Sequence, residues 1–230
     1  MREIVLDTET TGLDPADGHR IIEIGCVELM DHLPTGVTFQ RYLNPERLVP
    51  LESQRVHGIT DEFLAGKPYF AAIADELEAF LGDAPLVIHN AGFDLKFINS
   101  ELHRLSRAPL PLSRAIDTIE IAKSKIPGAR YSLDELCKRF GIDLAMRSKH
   151  GALLDAELTA RVYFELVGGR QTNLKLAPRD VAEVVADAME SRAARIRPRV
   201  LAPRVSEIEA EAHAAFVNGE LGNDAVWNWR

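Results

Sequence analysis

Asp7 and Glu9 stand two residues apart at the end of the apolar run Ile4-Val5-Leu6, in the stretch "IVLDTETTG". Side chains on a strand alternate faces, so a strand here aims both carboxylates the same way. Two carboxylates held side by side repel, and burial strengthens the repulsion. Further along the chain, Asp94 follows the strand-like "PLVIHN" and lies in line with Ile98, Leu102 and Leu105, the apolar stripe of a helix. Taken alone, it reads as an acid favoured by a helix N-terminus. Asp155 shares a helix face with Leu158, Val162 and Leu166, whereas Glu157 and Arg161 form an outward i, i+4 pair. A buried ion pair would serve any one of these acids. Four converging acids require cations between them. Oxygen donors with few nitrogens or sulfurs suit Mg²⁺ or Mn²⁺, and two such ions about 3.5–4 Å apart are a recurring device for splitting phosphodiesters. His150 precedes Asp155 by five residues, off its helix face, and so belongs to the preceding loop. Alone it reads as a loop histidine; beside four acids it reads as a general base.

The elements that must position these groups follow from periodicity. Residues 2–8, 20–29 and 38–43 read as strands, with Gly36 in the turn between the last two, and short connections favour antiparallel neighbours. Residues 69–82 form a helix pattern with Phe70, Ile73, Leu77, Phe80 and Leu81 near one face. Residues 85–90 read as a short strand, and 93–105 as a helix entered through an Ala91-Gly92 turn. Ser132 and Glu135 have the spacing of a capping box ahead of a helix that Gly141 ends. Residues 152–169 form a long helix stopped by Gly168 and Gly169. Hairpin strands followed by interleaved helices and strands predict an α/β fold with a mixed sheet flanked by helices. Beyond residue 169 the periodicity weakens. A helical stretch is expected near 179–195, then the Pro- and Arg-rich linker 195–204, then a second capping box, Ser206 and Glu209, opening a short amphipathic helix.

With 230 residues, the chain has room for one sizeable domain and an appendage. A net charge of −8 argues against a basic nucleic-acid-gripping surface, but leaves open handling through bound metal or a partner. Two cysteines in unlike contexts, Cys26 and Cys137, fit a reducing cytosol and packing roles, and argue against a structural zinc site. No apolar run approaches membrane-spanning length, and the N-terminus lacks the pattern of a secretory signal, so no membrane partner is expected.

Three motifs in order, "DTETTG", "HNAGFD" and "HGALLDA", resemble the DEDD superfamily of 3′–5′ exonucleases in its histidine-containing branch, and most of all its bacterial proofreading members. The resemblance implies an RNase H-like core over an exonuclease domain, residues 1–169, that hydrolyses 3′ ends of single-stranded DNA to 5′-mononucleotides with two divalent cations. It implies that Asp7 bridges both metals, that Glu9 and Asp155 hold the nucleophile's metal, that Asp94 supports the second, and that His150 takes the proton from the attacking water. Asp7, Glu9 and Asp155 would meet the substrate, with Glu52 and His57 touching the terminal nucleotide; His57 reads equally as a turn residue. Asp117 reads as structural, and His89 and Asn90 as residues that orient a strand-to-helix turn.

The remainder, a linker (170–205) and a largely extended or helical tail (206–230), points to partners. Residues 171–176, with Gln171, Leu174 and Leu176, resemble a sliding-clamp-binding peptide. Trp227 and Trp229 read as anchors for the replicative polymerase's catalytic subunit, as the resemblance implies, or as residues that fold back on the catalytic domain. Tethering compensates weak DNA affinity through high effective concentration. The expected place of action is the bacterial cytoplasm, at the replisome. The alternatives are an exoribonuclease of the same branch and a non-catalytic module bridging clamp and polymerase.

Overall fold

The computed structural model describes residues 1–145, 150–169 and 205–221. The chain divides into two units, Met1–Asn173 and Leu174–Arg230. The first is built on a five-stranded sheet: β1 (Arg2–Thr10), β2 (Ile21–Met30), β3 (Leu33–Tyr42), β4 (Leu86–Ile88) and β5 (Ala115–Asp117). Its strand order is β3-β2-β1-β4-β5. The first three strands form antiparallel hairpins, and β4 and β5 run parallel to β1. This is the expected mixed sheet.

Among the described residues seven α-helices accompany it: α1 (Leu51–His57), α2 (Asp61–Leu64), α3 (Phe70–Leu81), α4 (Ala91–Arg104), α5 (Thr118–Lys125), α6 (Leu133–Phe140) and α7 (Ala152–Leu166). One sheet face buries Ile4, Leu6, Ile24 and Cys26 against Phe70, Ile73 and Leu77 of α3 and Leu95, Ile98 and Leu102 of α4. The other face buries Val5, Val27 and Leu29 against Ala156, Ala160 and Tyr163 of α7. Small residues on α7 let the helix lie close to the strands. Behind it, Leu158, Val162 and Leu166 meet Leu133, Leu136 and Cys137 of α6.

Three local expectations are corrected. The β2–β3 turn is made by Asp31 and His32, both at positive φ, the signature of a type I′ hairpin. Gly36 (φ 88°) instead lies within β3, where the β2–β3 register shifts. The Ala91-Gly92 pair is already helical; the chain turns one residue earlier, at Asn90 (φ 72°). Ser132 is an N-cap residue but forms no side-chain cap bond, and Glu135 pairs with Lys138 at 3.0 Å instead.

In the second unit, α8 (Glu207–Phe216) opens on a complete capping box. The Glu209 amide donates to the Ser206 hydroxyl at 3.3 Å, and the Ser206 amide donates to the Glu209 carboxylate at 2.9 Å. Ile208 and Phe216 are exposed. Among the described residues no helix is long and apolar enough to cross a membrane. The helical stretch expected near 179–195, the peptide at 171–176 with Gln171, Leu174 and Leu176, and Trp227 and Trp229 lie outside the described residues.

Candidate active site

The site forms where β1 ends. Asp7 pairs with Gly25 and Glu9 with Glu23 across the β1–β2 ladder, so these four positions share the face that α7 covers. Gly25 is required there. A Cβ at this position would stand 2.2 Å from the backbone nitrogen of Leu153, so only glycine lets the start of α7 rest on β2. That contact carries His150 and Asp155 to the carboxylates of β1. Thr8 points to the opposite face, toward α4. There Asp94 accepts from the Thr8 amide at 2.9 Å and from the Thr8 hydroxyl at 2.7 Å through one oxygen.

Glu9, His150 and Asp155 each present an atom able to bind metal, and these atoms lie within 4.8 Å of one another. Asp155 is 3% exposed, and its carboxylate meets the His150 Nδ1 at 3.1 Å. An ionised carboxylate only accepts, so Nδ1 carries the proton and the basic lone pair of the imidazole is on Nε2. Burial raises Asp94 from the usual carboxylate range to about 7; the Thr8 bonds work against this and the charge of Asp117 adds to it. The buried Cys26 thiol is pushed up as well, first by burial and then by the charges of Asp7 and Asp94. Closely spaced acids, Glu9 and Asp155 buried and the His150 imidazole exposed beside them, fit a hard divalent cation.

The remaining sequence candidates fall around this cluster. Ser53 of α1 donates to the Thr11 carbonyl at 3.0 Å, and the His150 amide donates to the Val56 carbonyl at 3.3 Å. The helix bearing Glu52 and His57 is thereby fastened both to the chain leaving β1 and to the His150 loop. Glu52 is exposed in its first turn. His57 is buried, and its Nδ1 accepts from the Ile59 amide at 3.0 Å, which is turn-stabilising work. Asp117 accepts from the Ile119 amide as the N-cap of α5 and from the Asn90 and Ala91 amides at the start of α4, the structural role read for it. His89 meets the Thr118 hydroxyl at 2.8 Å beside that turn. Both cysteines are buried, as expected of packing residues.

Sequence reasoning missed Thr8, Glu23 and Gly25. Glu23 is 1% exposed, and its Oε2 accepts from the Ala152 amide at 3.1 Å. The available signal was an acid set among isoleucines in "RIIEIG", in the same predicament as Asp7 and Asp155.

A family model described as Exonuclease matches residues 4–163. The chain belongs to this exonuclease family. It is 54% identical over 184 residues to the DNA polymerase III subunit epsilon of Rickettsia felis, covering 79% of this chain and 80% of that protein. To the DNA polymerase III subunit epsilon of Escherichia coli it is 40% identical over 237 residues, covering 98% and 97%. A solved structure of Exonuclease X in complex with 5′ overhanging duplex DNA is 26% identical, with a TM-score of 0.57 over 76% of this chain and 96% of that one. The nuclease domain of 3′hExo, a DEDDh family member, superposes with a TM-score of 0.63 at 23% identity, a likeness of fold. Exonucleases of this family depend on divalent metal, and the cluster at the end of β1 has the donors to hold it.

Proposed function

We propose that this exonuclease removes mispaired 3′-terminal nucleotides from single-stranded DNA ends as the proofreading subunit of a bacterial replicative polymerase, working in the cytoplasm. The observation that carries this reading is the convergence of Glu9, His150 and Asp155 within 4.8 Å, with a buried Asp94 held on Thr8, the residue between Asp7 and Glu9. Asp7, Glu9 and Asp155 hold two divalent cations, Mg²⁺ or Mn²⁺, and Asp94 supports the second. When bound, the cations polarise the scissile phosphate and acidify the attacking water.

The protein's own groups do the rest. His150 accepts the proton of the attacking water at Nε2, and Asp155 holds the imidazole in the tautomer that leaves Nε2 basic. Thr8 fixes the orientation of Asp94 by two hydrogen bonds to one oxygen. Glu52 and His57 on α1 meet the terminal nucleotide, and their helix is braced by Ser53 and Val56. Residues 1–169 form the nuclease, 170–205 a linker bearing the clamp-binding peptide 171–176, and 206–230 the polymerase-binding tail. Support for the tail's role comes from similarity to the Escherichia coli subunit epsilon over 98% of this chain, which extends past the nuclease.

The test is hydrolysis of matched DNA and RNA oligomers and of a primer with a mispaired 3′ terminus, in Mg²⁺, with capture of a replicative polymerase as a parallel arm. Release of 5′-mononucleotides, faster from the mispaired DNA end, is expected. A strong preference for RNA would transfer the reading to an exoribonuclease. Polymerase capture with no mononucleotide release would leave a bridging module.

A further inference from the structure

The start of α7 carries His150 and Asp155, yet its N-cap residue, Gly151, provides no side-chain cap. The first amides of a helix need acceptors from elsewhere. Glu23 supplies one from β2, 129 residues away in the chain, through the bond from the Ala152 amide to its Oε2. Its other oxygen, Oε1, accepts from the Gln40 side chain of β3 at 2.7 Å. A carboxylate at a helix N-terminus is also favoured by the helix dipole. Glu23 lies directly opposite Glu9 in the ladder and belongs to the same crowded set of acids, but protein donors engage both its oxygens. Gly25, two residues further on, provides the close approach; Glu23 provides the directional bond.

We propose that Glu23 is a positioning residue: braced by Gln40, it docks the start of α7 and so sets the spacing of His150 and Asp155 from Glu9. This rests on the reading that Glu9 and Asp155 hold a divalent cation. Partners one layer out from metal ligands commonly change metal affinity or activity by about 10–100-fold when removed.

The experiment compares Glu23→Ala and Glu23→Gln with wild type by calorimetric Mn²⁺ titration, kcat and KM on a single-stranded DNA oligomer, and the melting temperature of the metal-free protein. Glu23→Ala is expected to weaken Mn²⁺ binding and lower kcat, each by about 10–100-fold, with KM within about twofold. Glu23→Gln is expected to restore both to within about threefold of wild type. Its amide oxygen still accepts from Ala152, and Gln40 can turn its own amide to match. Mn²⁺ affinity and kcat within threefold of wild type in Glu23→Ala would overturn the proposal. So would a Glu23→Gln variant as impaired as Glu23→Ala, or a lowered melting temperature with unaltered Mn²⁺ affinity. If Glu23→Ala does not fold, Gln40→Leu takes its place: Mn²⁺ binding weakened about threefold or more at an unchanged melting temperature supports the proposal, and unchanged affinity overturns it. A wild-type protein that neither binds Mn²⁺ nor hydrolyses DNA would instead defeat the functional reading itself.

Discussion

The interface between β1 and α7 buries carboxylates at both ends, and the two ends resolve the same problem in opposite ways. At the start of β1, Glu3 is fully buried. One of its oxygens accepts from the Tyr163 hydroxyl at 2.7 Å, and the other meets the His32 Nδ1 at 2.8 Å. Burial, reinforced by the bond to Glu3, pushes the Tyr163 hydroxyl up and keeps it a donor. At the far end of the same strand, Glu9 meets Asp155 and His150, Asp7 shares that face of β1, and Asp94 bonds Thr8 on the opposite face, so acids gather with acids. Buried polar groups are ordinarily satisfied by protein partners, as Glu3 is. Where a fold gathers like charges instead, the missing counter-charge must come from outside, the part the proposed function gives to divalent cations.

The sharpest way to break this contrast is at the acidic end. Asp7→Ala is expected to lower exonuclease kcat by about 10³-fold or more, because several kcal/mol of charge stabilisation are lost and each 1.36 kcal/mol is tenfold. Single-turnover release of mononucleotides measures it, and retained activity would refute the assignment. His150→Ala is expected to slow the chemical step by about 10²–10⁴-fold, the range for a lost general base. A change near unity would return His150 to a loop role. At the satisfied end, Tyr163→Phe strips a buried carboxylate of a donor, at a cost of about 1–3 kcal/mol in denaturant-measured stability. Its kcat is expected to stay near wild type, and a large fall would show that the two ends are not separable.

The smallest effect expected is a pH slope. Asp94 is raised in the fold from an ordinary value of 3.8 to about 7, so folding favours its protonated form. That contribution is complete below about pH 4 and is lost as pH rises through about 7. Metal-free wild type should therefore lose stability between about pH 4 and 7 relative to Asp94→Asn, and added Mg²⁺ should reverse the loss. Parallel stability profiles of the two proteins would contradict the burial of an ionisable Asp94 near the metal ligands.

Much of this site was legible in the sequence because acids on apolar stripes violate the pattern around them. Asp94 and Asp155 are 3% exposed on the helix faces that periodicity gave them, and Asp7 and Glu9 share a strand face. What stayed hidden depends on pairing between distant segments. Glu23 resembles any acid in a strand until α7 is laid against β2. Thr8 is one threonine among several until α4 brings Asp94 to it. The hairpin turn was misplaced because Asp31 and His32 adopt positive φ, while Gly36, the stronger turn signal, serves a register shift. The Ser132 box failed because Lys138 competes for Glu135 one turn along the helix.

The central claim is that the carboxylates at one end of β1 are completed by a cation and those at the other by the protein. Calorimetric titration of Mn²⁺ into wild type, Asp155→Asn and Tyr163→Phe tests it directly. Binding to wild type and Tyr163→Phe alike, with at least about tenfold weaker binding to Asp155→Asn, is the predicted result. Equal affinity in all three proteins would contradict it.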